Sequence, residues 1–122
     1  MALVLHLEKR KMGASAKKWF QEADLGTRLI LIPAMVLVEI SYLSEKSRIN
    51  TTVADVEKHL KKHTSYKLID LNVDIIKKSF EILDIPELHD RLIAGTSHYF
   101  KLPLITNDTI ISQSKYLSCI WK

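Results

Sequence analysis

The stretch LHDRLIAGTSHYFKLPLITND, residues 88–108, constrains this chain more than any other. Leu88, Leu92, Ile93, Tyr99 and Phe100 return at helical spacings, which predicts a helix with one apolar stripe. Pro86 suits the first turn of that helix, where a missing N–H costs nothing. His89 falls inside the stripe, which favours a hydrogen-bonded structural role for it over acid–base work. Asp90 lies at the border of the stripe, above the small residues Ala94 and Ser97. Pro103 ends the helical pattern. Residues 102–106 are too few for a helix between such flanks and fit a buried strand, with Asn107 and Asp108 directly after it. Residues just past the carboxyl end of a strand line the ligand crevice of an open α/β sheet. Asp90 and Asp108 are therefore placed to meet at one sheet edge.

The remaining elements follow the same logic. Residues 29–32 form an aliphatic run of the kind buried on both faces of a parallel sheet. Residues 66–71 and 116–121 read as two further strands. Between them lie four helical patterns. Residues 14–23 turn Trp19 and Phe20 inward, and Pro33 opens a helix that runs to about Ser47. Thr52 with Asp55 three residues on resembles a capping box, opening a helix with Val56 and Leu60 inward. Residues 73–83 place Ile76, Phe80 and Leu83 on a core face. A short helix over 109–115 precedes the last strand. Strands that alternate with helices imply βα units on a parallel sheet, because parallel neighbours need a crossover. The start of the chain strains this pattern, since residues 3–7 look more like a helix than a first strand.

With 122 residues, 47% of them hydrophobic, and no repeat or Gly/Ser-rich linker, the chain is expected to form one domain. No apolar run approaches the ~18 residues that cross a bilayer. The opening MALVLHLEKRK has its charges after its apolar part, the wrong order for a secretory signal. One cysteine, Cys119, excludes an internal disulfide and a cysteine-based zinc site, so a cytoplasmic location is expected. A formal charge of +4 favours anionic partners without choosing among them. Lys9, Arg10 and Lys11 form a short basic run that suits either RNA or a solvated turn.

Glu39 is the odd residue of an otherwise apolar helix, AMVLVEISYL, with Met35 one turn before and Tyr42 and Leu43 one turn after. An isolated carboxylate there would be partly desolvated and its pKa raised, unless a cation such as Arg91 pairs with it. Its helix starts where the 29–32 strand ends, so Glu39 reaches the sheet edge that holds Asp108. Three carboxylates at one edge, without a histidine–cysteine set or a glycine-rich phosphate loop, suit a hard divalent cation.

Together the segments IPAMVLVEISYLSEKSRI, IPELHDRLIAGTSHYFKLPLITNDTII and YLSCIW resemble a PIN domain of the VapC toxin kind over almost the whole chain. That resemblance implies a Rossmann-like α/β fold and a ribonuclease dependent on Mg²⁺ or Mn²⁺. Such a toxin would act on RNA, be neutralised by a small antitoxin and form a homodimer. Glu39, Asp90 and Asp108 match the family's acidic metal-binding and catalytic positions, and Thr106 matches a hydroxyl beside the last acid that could orient a metal-bound water. The chain departs from the family at its start, where a strand ending in an aspartate precedes a helix like Ala2-Leu-Val-Leu-His-Leu. Neither Asp24 nor Asp70 takes that acid's place. The expected fold is thus a PIN-like parallel sheet without its first strand, and the expected activity either ribonuclease or RNA and antitoxin binding without cleavage.

Overall fold

A computed structural model describes residues 1–122. The chain opens with α1 (Ala2–Leu7) and α2 (Ala14–Asp24), then β1 (Ile30–Pro33), α3 (Ala34–Glu45), α4 (Val53–Lys62) and β2 (Tyr66–Ile69). It continues through α5 (Val73–Ser79), α6 (Leu88–Phe100), β3 (Leu104–Ile105), α7 (Thr109–Ser112) and β4 (Cys119–Ile120). The result is a mixed α/β fold, parallel strands flanked by helices.

Two parallel ribbons replace one continuous sheet. Ile30 stands beside Tyr66 and Pro33 beside Ile69 in the first, Leu104 beside Cys119 and Ile105 beside Ile120 in the second. No backbone hydrogen bond joins β1 to β3. A cleft of about 640 Å³ lies between them, lined by residues 29–33 on one side and 102–108 on the other. This is the gap expected of a sheet that lacks an inner strand. The first residues of the chain do not fill it as a strand: residues 2–7 are helical, although Met1, Ala2 and Leu3 contribute to the cleft wall.

The ribbons carry separate apolar clusters. Leu3, Val4, Phe20, Ala23, Ile30, Ile32, Val36, Ile40, Val56 and Tyr66 pack around the first ribbon, and Ile82, Ile85, Ala94 and Ile111 beside the second. At α4 the capping box is complete. Thr52 Oγ1 accepts from the N–H of Asp55, and Asp55 accepts from the N–H of Thr52. Val56 is fully buried as expected, while Leu60 is half-buried. On α2 Phe20 is buried, and Trp19 lies half-exposed beneath the Arg28 guanidinium, 3.7 Å from the ring centre.

Two helical faces differ from the sequence reading. Helix α5 ends at Ser79 and buries Ile75 and Ser79, with Ile82 beyond it, while Ile76, Phe80 and Leu83 face solvent. On α6 the buried residues are Leu92, Ala94, Gly95 and Thr96, and Leu88, Tyr99 and Phe100 are exposed. The close approach of Gly95 to Ser79 sets the pairing of the two helices and turns Ile75 and Ile82 inward, while of the residues in the α6 stripe Leu92 stays buried. His89 consequently lies outside any core. Its side chain is half-exposed and its Nδ1 sits 3.2 Å from Glu87 Oε1.

Candidate functional site

Glu39, Asp90 and Asp108 all line the cleft between the ribbons, together with Thr106 and Asn107. Local structure delivers each of them. β1 passes through Pro33, the N-cap of α3, directly into that helix, which lifts Glu39 past the strand end. Asp90 belongs to the first turn of α6. Asp108 follows β3 and caps α7, its Oδ1 accepting from the N–H of Ile111 at 2.9 Å. Thr106 fixes the approach to it, because its Oγ1 accepts from the N–H of Asp108 at 3.1 Å.

The site is short of positive charge. None of the seven ion pairs in the molecule includes Glu39, Asp90 or Asp108. The sequence offered Arg91 as a partner for Glu39, and the structure spends it elsewhere. Arg91 Nε and Nη2 donate to the carbonyls of Ser79 and Phe80, and its guanidinium covers the Phe80 ring at 4.4 Å. Burial raises the pKa of Glu39 above the usual carboxylate range, and the charges of Asp90 and Glu87 push the same way. Burial likewise raises Asp90, followed by Glu87 and Asp108. His89 and the amine of Met1 oppose both shifts but do not overcome them.

Glu87 is the residue that sequence reasoning missed. It is the N-cap of α6, its Oε2 accepting from the N–H of Asp90 at 2.6 Å. Glu39, Glu87 and His89 each present one ligand atom, all within 4.8 Å of one another. The tightest donor set at this edge therefore differs from the three acids singled out by sequence, sharing only Glu39 with them. The signal was the Glu-x-x-Asp spacing at a helix start, hidden because Pro86 rather than Glu87 was read as the opening of the helix. Carboxylate oxygens in excess, raised pKa values and no cationic side chain form a donor set that fits a hard divalent cation.

The PIN domain family model matches residues 2–115, and the chain belongs to the PIN domain family. Members of this family are generally dependent on a divalent metal. Among solved structures, the crystal structure of VapBC2 from Rickettsia felis bound to a DNA fragment from their promoter contains a chain with the same fold. The TM-score is 0.69 at 19% sequence identity, over 99% of this chain and 94% of that one. Comparison with curated proteins gave no match. No helix is long and apolar enough to cross a membrane.

Proposed function

We propose that this PIN domain is a metal-dependent endoribonuclease of a toxin–antitoxin system, acting in the cytoplasm as a single-domain chain. Glu39, Asp90 and Asp108 would hold Mg²⁺ or Mn²⁺, with Glu87 beside them. One observation carries the reading: three carboxylates from three elements line one cleft, two of them raised by burial and mutual repulsion, with no cationic side chain paired to any. A divalent ion bound there would polarise an RNA phosphodiester and supply an activated water.

The chain's own residues have defined tasks in this reading. Asp108 commits Oδ1 to the N–H of Ile111 and keeps Oδ2 for the ion. Thr106 uses a lone pair on the N–H of Asp108, which leaves its hydroxyl proton to orient a water. The net charge of +4 suits an RNA substrate. The VapBC2 chain with this fold supports a small antitoxin as partner, and the exposed apolar side chains Val38 and Tyr42 on α3 supply surface for an antitoxin or a second copy.

The gap between β1 and β3 favours a second reading, a PIN-like module that binds RNA or antitoxin without cutting, because the opening strand and its acid would lie there. A single-turnover RNA cleavage assay with Mg²⁺ or Mn²⁺, with and without EDTA, separates the two. EDTA-sensitive cleavage that disappears in Asp108→Asn supports the nuclease. RNA retention without cleavage in either metal, both by the chain and by a form extended before Met1 with a short apolar strand ending in Asp, supports the binding module.

A further inference from the structure

A second cluster of ligating side chains lies away from the acidic cleft. His6 stands in the last turn of α1, Asp24 closes α2 and His59 stands in the last turn of α4, so three helices deliver one residue each. Tyr66, which contacts the cluster, opens β2 and pairs with the first residue of β1, whereas the acids lie beyond the far ends of the strands. The cluster therefore occupies the opposite, amino edge of the first ribbon.

We propose that His6, Asp24 and His59 form a binding site for a late first-row divalent ion, with Zn²⁺ as the best fit. His6 Nε2 is 2.8 Å from Asp24 Oδ2 and His59 Nε2 is 3.0 Å from Asp24 Oδ1. The three ligand atoms lie within 4.8 Å of one another. Zinc–nitrogen and zinc–oxygen bonds of roughly 2.0–2.2 Å place neighbouring donors somewhat over 3 Å apart, so small adjustments admit the ion. Two imidazoles and one carboxylate select zinc-like ions over Mg²⁺, which favours oxygen donors alone. Three protein ligands leave one tetrahedral position for water.

The surroundings hold the ligands in place. The His6 ring stacks on Phe20 at 4.7 Å, and the His59 ring meets Tyr66 edge-on at 5.0 Å. The Tyr66 hydroxyl donates to Asp24 Oδ1 and so fixes the carboxylate, as outer-shell partners of metal ligands do. The three side chains are 15%, 29% and 17% exposed, sheltered yet open to an entering ion.

The test is titration of the metal-stripped full chain with Zn²⁺, read by calorimetry and by ¹⁵N NMR of its five histidines. One tightly bound equivalent should shift Nε2 of His6 and His59 and raise the melting temperature, apart from any zinc taken up more weakly by the acidic cleft. His6→Gln and His59→Gln should each weaken binding by roughly 10–100-fold, while Asp108→Asn and His89→Gln leave it unchanged. The NMR arm uses the unsubstituted chain, so a variant that fails to fold does not decide the matter. Zinc that shifts only His63, His89 or His98, or that binds His6→Gln and His59→Gln as tightly as the parent, would overturn the proposal. So would absence of binding to the parent.

Discussion

Gly95 of α6 lies directly against Ser79 of α5: a Cβ at Gly95 would fall 1.8 Å from Ser79 Oγ and 2.7 Å from Ser79 Cα. The contact involves backbone, so rotation of the serine side chain does not relieve it. Ser79 is also fully buried, with its hydroxyl bonded to the carbonyl of Ile75 at 2.7 Å. Gly95→Ala should therefore destabilise the domain by about 1–3 kcal/mol, the usual range for overpacking, against a helix-propensity gain of up to ~1 kcal/mol. Chemical denaturation monitored by circular dichroism measures the difference. A midpoint equal to or above that of the parent would show that the helices separate freely.

Asp90→Asn should have opposite effects on stability and on metal binding. The folded-state pKa values of Glu39 and Asp90 lie above their unfolded values. Their contribution to stability is thus fully present below the unfolded pKa, near ~4, and is lost as pH rises through the folded values. At neutral pH both ionised groups burden the metal-free fold. Asp90→Asn should raise the melting temperature at pH 7 in EDTA, by a margin that vanishes in acid, while Mn²⁺ affinity falls roughly 10–100-fold. Calorimetry and melting curves at both pH values supply the check, and unchanged Mn²⁺ affinity would remove Asp90 from the site.

The gap between β1 and β3 predicts a response to an added strand. Met1 lines the same cleft as Glu39 and Asp90. A short apolar segment joined to Met1 and laid parallel to β1 and β3 would deliver its last residue there. The chain of 122 residues should cleave RNA very slowly or not at all. An extension of about five apolar residues ending in Asp, the typical length of a strand, should raise the melting temperature and give Mg²⁺-dependent cleavage. Asp108→Asn in the extended form should abolish that cleavage. Robust EDTA-sensitive cleavage by the chain without extension would show that its own acids suffice.

Thr52→Ala removes one half of the reciprocal cap on α4 and leaves the N–H of Asp55 without its partner. The expected cost is about 0.5–2 kcal/mol, as for other N-cap threonines. Urea unfolding of the variant tests this, and an unchanged midpoint would mean that water replaces the hydroxyl at no cost.

Local chemistry made much of this fold legible in the sequence. The aliphatic run before Pro33, the Thr52–Asp55 box and the short run after Pro103 each announced an element, because their signals lie within a few residues. Glu39, Asp90 and Asp108 were legible as residues bound for one edge, since each follows or flanks a strand end. What stayed hidden depended on distant partners. The residues Ile76, Phe80 and Leu83 and the residues Ile75, Ser79 and Ile82 have the same helical spacing, and only the approach of Gly95 decides which stripe is buried. His89 was misplaced for the same reason. The cluster of His6, Asp24 and His59 draws on positions 18 and 35 residues apart, with no local pattern to mark it.

Glu39 stands on the helix that follows β1, whereas Asp90 and Asp108 stand on elements that flank β3, and no strand hydrogen bonds span the interval. A cation held by all three would act as a clasp across the interval, binding the ribbons through the ion where the backbone does not. Its removal would let them breathe independently, so amide exchange in β1 and β3 should quicken together when Mg²⁺ or Mn²⁺ is withdrawn.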